Sequence, residues 1–266
     1  MRSPVGIAAA LSGAALVAGC SSSPTASAST TTGEASPTST AITGDVTVFA
    51  AASLKSTFTK LGAQFEKDYP GTQVTFNFAG SSDLVAQLTQ GAPADVFASA
   101  DTKNMTKAVD AGVVTGEPVN FATNTLTIVT PPGNPKGIAS FADLAKPGTQ
   151  VVVCAPQVPC GSATEKVAKA TGVTLTPVSE ESAVTDVLGK ITSGQADAGL
   201  VYVTDAKGAG EKVTAIPFPE SSGAVNSYPI AVLEGSTNPA AAQKFTDLVI
   251  SAQGREVLAA AGFAAP

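Results

Sequence analysis

Residues 46–67 read VTVFAAASLKSTFTKLGAQFEK, and two periodicities meet in them. The first five residues form an apolar, β-rich run. From Leu54 onward, Leu54, Phe58, Leu61 and Phe65 recur at helical spacing. A strand therefore passes into a helix through Ala51, Ala52 and Ser53, a junction almost without side-chain bulk. The Ser53 hydroxyl is suited to capping that helix. The same lack of bulk would let an anion approach the free N–H groups of the first turn.

The pattern repeats along the chain. Strands are predicted at 46–50, 73–78, 95–99, 125–130, 150–154, 198–202 and 228–233. Helices are predicted at 54–67, 82–90, 102–111, 162–171, 183–193, 239–251 and 253–260. This alternation implies an α/β protein built from βα units with largely parallel sheets. Ligands of such sheets bind beyond the carboxyl ends of the strands, where Ser53 lies. FNFAGSSDL (76–84), VVVCAPQVPCGSA (151–163) and SEESAVTDV (179–187) repeat the sequence of strand, small residues and helix. Lys55 is the one cation near these junctions. An anion there would be held by neutral donors, which favours a fully deprotonated oxyanion. Asp83 and Asp186 fall in first turns and read as partners of the helix dipole.

Composition removes whole classes of function. The 266 residues are 44% hydrophobic, enough for one or two globular units, and the formal charge is −6. With no basic stripe, nucleic acid is excluded as a partner. The chain has no histidine, which removes Ser-His-Asp and Cys-His catalysis and every His-containing zinc site. Neither a GxSxG elbow nor an SxxK pair surrounds Ser53 or Ser81, so a serine hydrolase is set aside. The reading is a binding protein, not an enzyme, and it requires no cofactor.

Residues 1–20, MRSPVGIAAALSGAALVAGC, read as a signal peptide. The ending VAGC resembles the lipobox of bacterial lipoproteins, which implies acylation of Cys20 and a lipid anchor on the outer face of the cell membrane. Residues 21–44 are rich in Ser and Thr with almost no apolar bulk, and are expected to be a disordered tether. Cys154 and Cys160 lie six residues apart in an exported chain, so a disulfide is expected, with two free thiols as the alternative.

AAASL (50–54), FAGSSDL (78–84), GAPADVFASAD (91–101), AGLVY (198–202) and YPIAVLEG (228–235) together resemble the molybdate-binding proteins of bacterial ABC importers. That resemblance spans nearly all of residues 45–266. It implies a two-lobed periplasmic-binding-protein fold of type II, each lobe a mainly parallel sheet flanked by helices, with a two-strand hinge. Lobe 1 would comprise 45–123 plus 226–266, and lobe 2 residues 124–225. It further implies a monomer that binds molybdate or tungstate through the oxygens and delivers it to an ABC permease. Ser53 and Ser81 would donate through hydroxyl and backbone, Cys160 and Val184 through backbone N–H, and Tyr202 through its phenol. Another tetrahedral oxyanion, such as sulfate, is the alternative ligand, differing mainly in size.

Overall fold

The computed structural model describes residues 42–266. The expected signal peptide, the lipidation site at Cys20 and most of the tether lie outside the described residues. The expected end of the tether needs correction, because Gly44 already opens the first strand, β1 (Gly44–Ala51). Its N–H donates to the Gly71 carbonyl (2.9 Å), and Ile42 packs against the core. The Ser/Thr-rich composition upstream concealed these last residues.

β1 passes through a 3-10 turn, Ala52–Leu54, into α1 (Lys55–Asp68). Then follow β2 (Thr72–Ala79), α2 (Ser81–Thr89), β3 (Val96–Ala98), α3 (Thr102–Asp110) and β4 (Val114–Asn124). After Thr125 the chain enters a second lobe with β5 (Leu126–Thr130), β6 (Val151–Cys154), α4 (Pro159–Thr171) and β7 (Ser179–Glu181). That lobe continues with α5 (Val184–Thr192), β8 (Ala198–Tyr202), α6 (Val203–Ala209) and β9 (Thr214–Ile216). β10 (Asn226–Leu233) returns the chain to the first sheet, and α7 (Pro239–Ile250) and α8 (Ala252–Ala261) complete it.

Each lobe holds one five-stranded sheet, in the orders β2-β1-β3-β10-β4 and β7-β6-β8-β5-β9. In the first, β1 pairs parallel with β2 and β3, while β10 runs antiparallel to both β3 and β4. In the second, β6 pairs parallel with β7 and β8, and β5 alone is reversed. One reversed strand per sheet is what a chain that crosses between lobes and returns requires. The crossings lie at the paired ends of β4 and β10, where Asn124 faces Asn226.

The inner strands β1, β3, β10, β6, β8 and β5 are largely buried because both faces of each sheet are covered. On β1, Val46, Val48 and Ala50 face the cluster that contains Phe58, Phe65 and Phe245, while Phe49 faces Leu84, Phe97 and Met105. This is the two-residue alternation of a strand. Elements absent from the expectation have identifiable causes. β4 carries Gly116 and Pro118 and is exposed over much of its length, so it reads as loop until β10 pairs with it. β7 and β9 have three residues each, and α6 has seven.

Candidate functional site

Five segments converge between the lobes on one small cavity. The turn after β1 brings Ser53, and the start of α2 brings Gly80 and Ser81. From the other lobe, α4 brings Pro159 and Cys160, α5 brings Val184, and the end of β8 brings Tyr202. The five sequence-predicted residues are therefore assembled together. Asp83 and Asp186 stay in the first turns of α2 and α5 and do not line the cavity.

The lining is uncharged, and the polar groups it presents are mostly donors. Ser81 and Val184 are the first residues of their helices, and Cys160 is the second of α4. N–H groups at those positions have no intrahelical acceptor. Three helix N-termini thus direct donors and the positive ends of their dipoles at one point. The expected start of α4 at residue 162 is corrected to Pro159, since proline at the first position is already set for a helix. That earlier start is what places the Cys160 N–H in the first turn.

Each hydroxyl has a distinct setting. The Ala100 N–H donates to Ser81 Oγ (2.9 Å), which leaves the Ser81 hydroxyl proton free to point elsewhere. Ser53 Oγ lies 3.0 Å from the Tyr228 hydroxyl. Burial holds the Tyr228 phenol protonated far above the usual range, so it can serve as donor to Ser53. Tyr202 is 1% exposed, and its hydroxyl forms no hydrogen bond of normal distance and angle, although the Tyr228 phenol lies near enough to affect its titration. Burial likewise pushes its pKa well up, so it remains a donor. Among the described residues, Ser82 and Thr246 also carry buried hydroxyls without partners, but only Tyr202 lines the cavity.

A disulfide joins Cys154, at the end of β6, to Cys160. It ties the strand to the helix start that supplies one donor. Gly161 is required in the same loop, because a Cβ there would lie 2.0 Å from the Ala155 carbonyl oxygen. Gly80 matters between the lobes, where a Cβ would lie 2.0 Å from the Ser182 carbonyl oxygen. The backbones of the two lobes therefore meet at the rim of the cavity. Asn226 Nδ2 donates to the Ala100 carbonyl (2.8 Å) and reaches the Pro159 carbonyl (3.5 Å), adding a polar link across the same gap.

Sequence reasoning missed Tyr228, Ala100 and Asn226. Tyr228 left a trace: it begins the apolar run YPIAVL, and a buried tyrosine hydroxyl needs a partner.

Residues 46–264 match the family described as bacterial extracellular solute-binding proteins. The chain belongs to that family. Among its solute-binding relatives, the molybdate-binding protein ModA of Mycobacterium tuberculosis is 54% identical over 98% of this chain and 99% of its own length. ModA of Escherichia coli is 34% identical over 83% of this chain and 89% of its own. In fold, the periplasmic molybdate-binding protein of Azotobacter vinelandii matches with a TM-score of 0.72 at 24% identity, over 83% of this chain and 99% of that one. The two-lobed α/β architecture is that of the solute-binding proteins. Such proteins are binding components and not enzymes.

Proposed function

We propose that this solute-binding protein captures molybdate, and also tungstate, in the interlobe cavity and passes it to an ABC permease. The observation that carries the reading is the Tyr202 hydroxyl, buried without a partner among converging helix N-termini. A buried donor left unpaired costs about 1–3 kcal/mol, and an oxyanion at that position would satisfy it. An uncharged lining suits a dianion with no proton of its own, because it offers donors rather than carboxylate acceptors. Ser53, Ser81, Cys160, Val184 and Tyr202 are the residues assigned to hold the oxygens. The relatives named molybdate-binding protein support the choice among oxyanions. Under this reading the mature protein works as a monomer outside the cell membrane, moored by acylated Cys20.

A calorimetric panel of molybdate, tungstate, sulfate and phosphate tests the assignment. Molybdate and tungstate are expected to bind, and sulfate weakly. Bound molybdate at a thousandfold excess over its dissociation constant should stabilise the fold by about 4 kcal/mol. Equal affinity for sulfate and molybdate would overturn the molybdate assignment in favour of a general oxyanion receptor.

A further inference from the structure

The segments that carry Ser53, Val184 and Tyr202 do not stop at the cavity. They run outward into a groove of ≈ 690 Å³, walled by the first turns of α1 on one lobe and by α5 and α6 on the other. Ala52 and Ser53 line both spaces, so the groove borders the site. The change in chemistry across that boundary is abrupt. No charged residue lines the cavity, whereas Lys55, Lys60 and Lys212 line the groove. All three are exposed, and none takes part in a salt bridge among the described residues. The one carboxylate in the groove lining, Asp205, accepts from the Tyr202 N–H (3.1 Å). Burial pushes its pKa up to about 7, so near neutral pH it offsets only part of the lysine charge.

We propose that this groove is the mouth through which the oxyanion reaches the cavity, and that Lys55, Lys60 and Lys212 steer it there. The inference rests on the oxyanion-receptor reading and concerns the rate of capture. With a net charge of −6, the molecule as a whole repels a dianion. A cleft in which one sign of charge predominates, here three lysines against Asp205, focuses its own field between low-dielectric walls and reverses that repulsion locally. Because no lysine reaches the cavity lining, the bound anion is held by neutral donors, and the lysines act on association more than on release.

Stopped-flow mixing with molybdate, followed by tyrosine fluorescence, reads this directly, since the chain has no tryptophan and Tyr202 lines the site. Three proteins are compared across a chloride series. They are the wild type, a groove variant (Lys55→Gln, Lys60→Gln, Lys212→Gln) and a control (Lys67→Gln, Lys136→Gln, Lys244→Gln) with the same change in net charge outside the groove. The groove variant should lose about tenfold or more in association rate at low ionic strength, with dissociation unchanged. The gap should close as salt shortens the Debye length from about 30 Å to below 10 Å. The control should keep the wild-type rate. Equal association rates for wild type and groove variant, or an equal loss in the control, would overturn the steering proposal and leave the receptor reading intact. A wild-type rate that does not fall with salt would also overturn it, without recourse to any variant. Absence of molybdate binding to the wild type in calorimetry would instead overturn the receptor reading, and the steering proposal with it.

Discussion

The Tyr202 phenol separates stability from binding more cleanly than either serine does. Removing the Ser81 hydroxyl would strand the buried Ala100 N–H, and removing that of Ser53 would strand the Tyr228 hydroxyl. Both changes would therefore disturb the ligand-free fold as well as the ligand. The Tyr202 hydroxyl forms no well-made hydrogen bond with the protein, and its neighbour Tyr228 is already paired with Ser53. Tyr202→Phe should leave the ligand-free melting temperature unchanged or slightly raised. It should also weaken molybdate binding by about 1.5–3 kcal/mol, the usual loss for a hydrogen bond to a charged group. Thermal melts without ligand and calorimetry with it check the two halves. Unchanged affinity would remove the phenol from the site. At this scale the sequence was informative about groups that line the cavity through local geometry, because a serine or an amide at a strand-to-helix junction announces itself. It was silent about their supports. Tyr228 is 175 residues from Ser53 and Ala100 is 19 from Ser81, and no local pattern links such pairs.

Among the elements, the decisive ones are the helix starts, and small residues set how closely they approach. Gly80 precedes α2 and faces the Ser182 carbonyl just before α5, so the glycine fixes the distance between two donor-bearing termini. Its φ of −60° suits any residue, so the requirement is one of space alone. Gly80→Ala should therefore spare each lobe and hinder their approach. Overpacking of this kind costs about 1–3 kcal/mol, corresponding to a molybdate affinity lowered by about 5- to 150-fold. The ligand-free protein should melt near the wild-type temperature. Calorimetry showing full affinity in the variant would mean that the ligand is held without this contact. The strands and longer helices were legible from apolar periodicity, since β1, β6, β8 and β10 are largely buried runs and α1 and α7 carry clear stripes. β4 was not, because an edge strand with Gly116 and Pro118 lacks the apolar signature and owes its form to pairing with β10.

For the whole molecule, the charge distribution answers a question that composition left open. A chain of net charge −6 has no long-range pull on a dianion, and its cavity carries no compensating cation. Binding then depends on short-range donors, most of them on buried residues, where a hydrogen bond is worth more than in solvent. The lysine-lined groove could not be read from the sequence, because Lys55 and Lys60 come together with Lys212 only through the docking of α1 beside α5 and α6. The two-lobe plan was more accessible. It came from the resemblance carried by motifs distributed from residue 50 to residue 235, as did the return of α7 and α8 to the first sheet, whereas the βα alternation gave only the α/β class with largely parallel sheets. The central claim is that the oxyanion sits where the α2, α4 and α5 termini meet Ser53 and Tyr202. A crystal structure of the protein with tungstate, read through the anomalous signal of the metal, tests this most directly. The account predicts one strong peak in that cavity, with an anion oxygen within about 3 Å of Tyr202 Oη. A peak confined to the lysine groove, or a cavity peak with the Tyr202 hydroxyl turned away, would contradict it.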